Sequence, residues 1–406
     1  MESWFKPFDL RKTDEYDKVS AKLTKFEDKK LLHFNIESVF SSADDVNENN
    51  LGDIFNSSYE THPIFLSELS DVLVGPKPKG LPRYWPMFTK DIYVWNILSE
   101  EAKFRLKSQG EIKLEDDLIK PASSVPYNLE LKGTFVWLYI FDNIDHLYRE
   151  TLPAILLLKE SSYEFDKLIF IVPKINSELE EILTTIGVNV KNIIKLPNTW
   201  FKVEKIIIPS FITFGHLHTP STWYLKSSKL LREEIINKNI ESTKKPPKKI
   251  FVSRENATQR KILNENEIID KFKKMGFTVI DPGEMSKSEQ ILFFSEAEEI
   301  VGPHGMGIAN TIFSNKLTLL LELMPTDWNR VSYFRNAQLQ NASYGCYWMN
   351  PITQPNSRKQ KREYLIDCEN VIHLYNRLKK LTSDNDSIKS TDLNSYKCLT
   401  KSYRIF

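Results

Sequence analysis

The sequence contains a glycine-rich turn of a kind that can hold phosphate. Residues 301 to 310 read VGPHGMGIAN, where a buried strand ends and a helix is predicted to begin. Glycine lets a ligand approach the backbone, and the first amides of a helix favour negative charge. The residues expected to contact a diphosphate are His304, Gly305, Met306, Gly307 and Asn310. The alternative is that the glycines only satisfy a tight turn and that the histidine is an ordinary satisfied one.

Two arginines are predicted near the same edge of the fold. Arg254 closes a strand that starts near residue 250, and Arg260 stands at the start of the following helix. Doubly wound sheets bind ligands at the carboxyl ends of their strands, and paired arginines can clamp a phosphate. The alternative is a solvated basic face, or a structural ion pair with Glu255 or Glu265. Glu322, at the end of a later strand, is a weaker candidate for contacts with ribose hydroxyls.

A second group of candidates follows the apolar run from residue 134 to 141. His146 and Glu150 are four residues apart, so they share one face of the predicted helix. Glu150 is the preferred general base, but His146 could be the base or could orient Glu150. A structural His–Glu helix pair is an equally good interpretation. Asp142 and Asp145 are further acidic candidates and rank below Glu150, because each could simply end the strand or cap the helix.

The elements that position these residues alternate between strands and helices. After an irregular region up to about residue 125, apolar runs and amphipathic segments take turns from residue 131 to residue 236. The polar, proline-containing segment from 237 to 249 is typical of a linker, and the alternation restarts at residue 250. This pattern predicts an α/β protein with two Rossmann-like, doubly wound domains and a cleft between them. The predicted domains are 1–240 on the acceptor side and 241–406 on the nucleotide side, with a tail that is expected to pack back on the N-terminal domain.

Composition excludes several classes of protein. The 55 basic and 54 acidic residues nearly cancel, so no global field favours nucleic acid or an anionic membrane, and membrane association is peripheral at most. No signal peptide or transmembrane run is evident, which predicts a cytoplasmic protein. The three cysteines lack zinc-site spacing. The DxD-like segment 384–386 lies in a polar tail, so we expect no metal site there.

The order and spacing of the motifs resemble glycosyltransferase family 61. The matching features are SRxxxxxRxxxNE from Ser253, GF at 276–277, the Glu-Gln pair at 289–290, VGPHGMGIANxxF and the strand end LLEL. The segment NIDHLYRETLP from 143 is similar to the family's first-domain motif. The resemblance implies a GT-B fold and inverting transfer without a required metal or other cofactor. It also implies a nucleotide-sugar donor, with a UDP-sugar favoured, held mainly by the second domain.

Two departures from the family pattern bear on the site. Met306 stands where the family usually has alanine, and its bulk would reshape the phosphate pocket. The first 125 residues match nothing in the family, so they give no indication of the acceptor.

Three functions remain open at this level. The favoured one is a bacterial-type glycosyltransferase that acts on a glycan or glycolipid of capsule or lipopolysaccharide. The same arginines and helix amides would also serve a phosphoryl or phosphosugar transferase that attacks at phosphorus. A non-catalytic scaffold that binds a nucleotide or a glycan would keep the phosphate contacts and need no base.

Overall fold

The computed structural model divides into two compact units. They are Met1–Leu31 with Glu60–Ser227, and Leu32–Tyr59 with Ser228–Phe406. The residues that the structure describes are 6–9, 22–41, 55–76, 87–89, 92–95, 107–115, 118–121, 129–138, 144–172, 175–195, 199–210, 212–213, 219–238, 245–326, 328, 330–352, 361–389 and 404–405.

Strands dominate the described part of the chain up to residue 137 and alternate with helices after it. In chain order they are β1 (Lys6–Asp9), β2 (Lys22–Glu27), β3 (Leu31–His33), β4 (Ser38–Phe40), β5 (Ser58–Glu60), β6 (Ile64–Val74), β7 (Met87–Thr89), β8 (Ile92–Trp95), β9 (Ile112–Glu115), β10 (Leu118–Pro121), β11 (Glu130–Trp137), β12 (Ile169–Val172), β13 (Ile193–Lys195), β14 (Phe201–Pro209), β15 (Lys249–Val252), β16 (Lys261–Ile262), β17 (Thr278–Ile280), β18 (Glu299–Pro303), β19 (Leu319–Pro325), β20 (Ser343–Met349), β21 (Glu363–Tyr364) and β22 (Arg404–Ile405).

The helices follow the predicted alternation. They are α1 (Ile144–His146), α2 (Leu152–Lys159), α3 (Ser177–Thr185), α4 (Thr222–Lys238), α5 (Glu265–Lys274), α6 (Lys287–Phe294), α7 (Met306–Ala309), α8 (Ser332–Leu339) and α9 (Cys368–Lys389). A π turn, Leu147–Thr151, joins α1 to α2, and a 3₁₀ turn, Asn310–Phe313, follows α7.

The first unit is built on a mixed sheet. Its order is β1-β8-β7-β6-β14-β11-β12-β13, with β2 also paired to β6. The strands from β14 to β13 are parallel, and their order 14-11-12-13 is that of one half of a doubly wound sheet, whereas β6 runs antiparallel to β14. The apolar clusters of the irregular N-terminal region therefore become strands that extend this sheet.

The second unit is built on a parallel sheet. Its order is β17-β15-β18-β19-β20-β4-β22. The five strands from β17 to β20 follow the other common doubly wound order, in which the first of the five in sequence, β15, lies between the second and the third. The mixed α/β fold with parallel sheets is therefore confirmed.

The segment 32–59 belongs to the second unit, although residues 60–227 separate it from the rest of that unit. Strand β4 pairs in parallel with β20, and Phe40 and Phe55 are buried in the same hydrophobic cluster as Tyr344. Arg335 on α8 donates hydrogen bonds to the carbonyl and side-chain oxygens of Asn56, at 3.0 and 2.7 Å. Burial of two aromatic rings explains why this segment joins a distant sheet.

The division between the units falls at a different point from the predicted one. The predicted domains were 1–240 and 241–406, whereas the chain divides between Ser227 and Ser228, inside α4, and residues 32–59 join the second unit. Within the tail, Tyr375 of α9 packs against Phe272 and Phe277 of the second unit. The assignment of one domain to the acceptor and of the other to the nucleotide remains a prediction.

One predicted helix starts later than expected. The apolar spacing of the sequence predicts a helix from Lys261 to Met275, but Lys261–Ile262 is strand β16, which pairs with β21, and α5 begins at Glu265. The prediction was wrong over its first turn, because a strand partner about a hundred residues away is invisible to local periodicity. Ser286 followed by Glu289 three residues later predicts a capping box, and the structure confirms it at the start of α6.

Gly302 lets two strands of the second unit approach closely, and its substitution tests that packing. A Cβ at this position would lie 2.7 Å from Val252 Cβ and 2.9 Å from the Val252 carbonyl oxygen. We expect Gly302→Ala to lower stability by about 1–3 kcal/mol through overpacking, and so to lower Tm by several degrees in a circular-dichroism melt. An unchanged Tm would contradict the close approach of β15 and β18.

Candidate functional site

The two predicted arginines meet over the glycine-rich turn of the second unit. Arg254 follows β15, and His304 and Gly305 follow β18, the neighbouring strand. A Cβ on Gly305 would overlap Nη1 of Arg254 and lie 3.4 Å from Nη2 of Arg260. Both guanidinium groups therefore lie against the backbone at Gly305. This is the switch point of the sheet, where the strand order reverses and doubly wound folds bind ligands.

The guanidinium group of Arg254 forms no ion pair with a carboxylate among the described residues, although the charges of Glu265 and Asp281 act on it from nearby. Its Nη2 donates to the carbonyl oxygen of Gln259 at 2.9 Å, and its buried Nε has no hydrogen-bond partner within the described ranges. Burial, and then the charge of Arg260, lower the pKa of Arg254 to about 10. The arginine is still a cation at neutral pH. A bound anion would compensate both the burial and the repulsion between the guanidinium groups.

Glu265 holds the backbone beside Arg254 rather than its guanidinium group. Its Oε1 accepts a 2.7 Å hydrogen bond from the Arg254 backbone N–H, and burial raises its pKa. The proposed alternative of an Arg–Glu ion pair here is therefore replaced by a backbone contact. Because Glu265 fixes the main chain, the arginine side chain stays directed at the turn.

Arg260 is held by its backbone and by an aromatic ring. Its φ of 52° lies in the left-handed region that side chains other than glycine rarely adopt. Its guanidinium carbon lies 4.8 Å from the centre of the Trp328 ring, within the range of a cation–π contact. Such left-handed residues persist where the surroundings enforce them, often at ligand sites.

The glycines of the turn have different roles. Gly305 makes room for the arginines, whereas a Cβ on Gly307 would lie 2.8 Å from Val252 Cγ1 and 3.2 Å from Pro282 Cγ. Gly307 thus permits close packing of α7 on the sheet. Met306 is half exposed at 51 % and is available to a ligand. Because α7 is a single turn, its dipole is small, and the arginines supply most of the positive potential here.

Asn310 lies at the end of α7 rather than on the surface of the turn. Its Nδ2 donates to Gln290 Oε1 at 2.9 Å and to the Gly307 carbonyl oxygen at 3.1 Å. Its Oδ1 is buried without a hydrogen-bond partner among the described residues. Gln290 in turn donates to the Pro282 carbonyl oxygen at 2.6 Å. Asn310 therefore fixes the turn from beneath, and only its Oδ1 remains for a further contact.

His304 and Glu322 are in direct contact in the interior of the second unit. His304 Nδ1 is hydrogen-bonded to Glu322 Oε1, and Tyr344 donates its hydroxyl to Glu322 Oε2 at 2.6 Å. Glu322 and Tyr344 are fully buried. Both oxygens of Glu322 are thus engaged inside the protein, which leaves no free carboxylate for the predicted ribose contact.

The second predicted cluster lies in the first unit. His146 Nδ1 is 4.0 Å from Glu150 Oε1, and Thr213, which follows β14, donates to the same oxygen at 2.9 Å. Glu150 is buried, and its Oε2 has no hydrogen-bond partner among the described residues. The helix α1 follows β11, and Thr213 follows β14, which is the neighbour of β11 in the sheet. Glu150 therefore also lies at a switch point, because β14 and β12 lie on opposite sides of β11.

A π turn carries Glu150, where the sequence predicted a continuous α-helix. The N–H of Leu152 donates to the carbonyl oxygen of Leu147, five residues earlier. Pro153 has no N–H to offer the carbonyl group of Arg149, so the regular ladder is interrupted at this turn. Single π turns inside helices occur frequently at functional sites.

Of the two lower-ranked acidic candidates, the structure describes only Asp145. Asp145 forms a buried ion pair with Arg149 on the next turn. That partner engages the charge of Asp145 and favours a structural role for it. Asp142 lies outside the described residues.

Metal-binding groups and membrane-spanning helices are not found in the described part of the chain. No group of three or more His, Cys, Asp or Glu residues there could hold a metal ion. Residues 384–386 lie within α9. None of the helices in the described ranges combines the length and apolar character needed to cross a bilayer.

Comparison with known families agrees with the motifs. The family model described as glycosyltransferase 61 matches residues 144–321. This match supports the assignment of the chain to glycosyltransferase family 61. The match covers the helix with Glu150, both arginines and the glycine-rich turn. The family match supports glycosyltransferase activity in general, which implies a sugar donor and a glycan acceptor as substrates. No curated protein matches the chain.

The structure adds residues to the candidate site that the sequence did not indicate. Thr213 bonds Glu150, Trp328 contacts Arg260, and Tyr344 bonds Glu322. Each is between 22 and 68 residues away in sequence from the residue it contacts. Only the order of the strands could have indicated Tyr344, because it lies on the strand next to that of Glu322.

Proposed function

We propose that this glycosyltransferase moves a sugar from a nucleotide-sugar donor to a hydroxyl group of a glycan or glycolipid acceptor, with inversion and without a metal ion. A UDP-sugar is the first donor to test. The observation that carries the proposal is the convergence of Arg254 and Arg260 on the backbone of Gly305 at the switch point of the second unit.

The two arginines suit the leaving group of this reaction. As the bond from the anomeric carbon to the diphosphate breaks, its electron pair leaves with the diphosphate, and negative charge grows there. Two guanidinium groups directed at one point stabilise that charge through charge-assisted hydrogen bonds. Their charge is already present before binding, which supports a mechanism that needs no divalent cation. His304 and the backbone around Met306 would add further contacts.

Glu150 is suited to act as the general base. Its Oε2 has no hydrogen-bond partner among the described residues, while Thr213 fixes its Oε1 at 2.9 Å. In the proposed step the acceptor oxygen forms its bond to the anomeric carbon and loses its proton to Glu150. His146, 4.0 Å from Oε1, would orient this carboxylate or take the proton in its place.

The architecture and setting belong to the same proposal. We propose that the two units act as the acceptor and donor domains of a GT-B enzyme. The enzyme would work in the cytoplasm on capsule or lipopolysaccharide. The near balance of 55 basic and 54 acidic residues supports local rather than global recognition of its anionic substrate.

Thermal shift with nucleotides tests the donor site. A ligand that binds only the folded protein stabilises it by about 2.7 kcal/mol at a concentration of 100 Kd. We therefore expect one nucleoside diphosphate, with UDP tested first, to raise Tm by several degrees, and the matching nucleoside to have little effect. The absence of a response to any nucleoside diphosphate or nucleotide sugar would contradict the donor site.

Product analysis then tests the reaction class. With a donor labelled separately in its sugar and in its β-phosphate, transfer at carbon moves only the sugar label to the acceptor. Transfer of both labels would show attack at phosphorus instead.

A further inference from the structure

We propose that Glu322 and Tyr344 are positioning residues, which hold His304 with its Nδ1 turned inward and protonated, so that Nε2 is the nitrogen presented to the ligand. The functional consequence rests on the proposed donor site, but the arrangement itself does not. This role differs from the ribose contact expected from the sequence.

Three neighbouring strands build this arrangement. Residues 302 and 322 are register partners in β18 and β19, and residues 322 and 346 are partners in β19 and β20. His304 follows directly after β18, and its backbone N–H continues the ladder by donating to the Leu323 carbonyl oxygen at 2.9 Å. The ring of His304 is therefore fixed from two directions, by its own backbone and by the carboxyl group of Glu322.

The direction of the hydrogen bonds follows from Tyr344. Burial, and then the nearby Glu322, raise the pKa of the Tyr344 hydroxyl well above its usual value, so the hydroxyl keeps its hydrogen and donates it. A carboxylate oxygen only accepts. Glu322 therefore receives one hydrogen from Tyr344 and one from His304 Nδ1, and these two bonds compensate its complete burial.

The consequence for His304 is a defined tautomer. With Nδ1 committed to Glu322, Nε2 is the only ring nitrogen left for a ligand. The ring also lies beside Tyr333, with 5.1 Å between the ring centres, and this contact limits its rotation. A buried carboxylate that orients a histidine in this way also fixes the tautomer in catalytic triads.

Nuclear magnetic resonance tests the tautomer without any substrate. The chain has seven histidines, so the two-bond ¹H–¹⁵N signals of His304 can be assigned by their loss in His304→Gln. In the neutral ring of His304 we expect the hydrogen on Nδ1 in the unmodified protein. In Glu322→Gln the side-chain amide can donate to Nδ1, and the hydrogen should move to Nε2.

A matched pair of tyrosine variants keeps the test valid if Glu322→Gln fails to fold. Tyr344→Phe removes one hydrogen bond to Glu322 and should shift the His304 signals toward a mixture of tautomers. Tyr375→Phe removes a bond of the same type, to Glu299 in the same unit, and should leave those signals unchanged. An Nε2–H tautomer in the unmodified protein, or equal effects of the two variants, would overturn the proposal.

Kinetics separates positioning from general stabilisation of the fold. We expect Glu322→Gln to lower kcat/KM by about 10- to 100-fold, and to have little further effect when His304 is already alanine. Additive losses in this double-mutant cycle would show that Glu322 acts independently of His304. If no nucleotide sugar supports turnover, the proposed function fails, whereas the resonance experiment still decides the tautomer.

Discussion

Replacing Glu150 by glutamine is expected to lower kcat by about 10²- to 10⁴-fold, because the variant keeps the shape of the side chain but loses the proton acceptor. Donor affinity should change little, since the arginines and the glycine-rich turn belong to the other unit. Thr213 can still donate to the amide oxygen of the variant, so the local hydrogen bond at 2.9 Å is retained. Steady-state kinetics and calorimetric titration with UDP measure the two quantities separately.

The matched control for this variant is Glu160→Gln. Glu160 lies at the end of α2 and pairs with Lys226 at 2.5 Å near the surface, where an ion pair contributes little. The Glu160→Gln variant should have a kcat within about twofold of that of the unmodified enzyme. A Glu150→Gln variant that retains turnover within tenfold would assign the base to another group, with His146 as the next to test.

Replacing Arg254 by alanine is expected to weaken UDP binding by about 10- to 100-fold, because a charge-assisted hydrogen bond contributes about 1.5–3 kcal/mol. Uridine lacks the diphosphate, so its affinity should change by less than about twofold. Arg254→Lys should fall between, because lysine keeps the charge but not the planar fork. Calorimetric titration of both ligands gives the two ratios.

A lysine variant controls for the loss of positive charge. Lys261 is exposed on β16, next to Arg260, and Lys261→Ala removes one cation from the same region. It should leave UDP affinity within about twofold. Equal losses of UDP and uridine affinity in Arg254→Ala would place the diphosphate elsewhere. A melting curve of each variant checks that the fold persists, because the Arg254 side chain is partly buried.

Local features of the fold could be predicted well because they depend on neighbours in sequence. The capping box joins Ser286 to Glu289, three residues later. The strands and helices from residue 250 onward follow apolar periods of two or about four residues. The π turn at Glu150 was not predicted, although Pro153 supplies its physical reason.

Features with distant partners could not be predicted from the sequence. Strand β16 depends on β21, and the segment 32–59 joins the second unit by pairing β4 with β20. Neither partner is indicated by local periodicity. The same holds for Trp328 and Tyr344, whose positions in the site depend on the folded chain.

The sequence by itself determined the residue types of the site and the elements that carry them. Arg254, Arg260 and the turn at His304 could be identified because glycine, arginine and strand ends have strong local preferences. Only the tertiary structure decided that both arginines converge on Gly305 and that Glu322 turns inward to His304. Strand order is the physical reason, since β15 and β18 become neighbours only when non-local hydrogen bonds form between them.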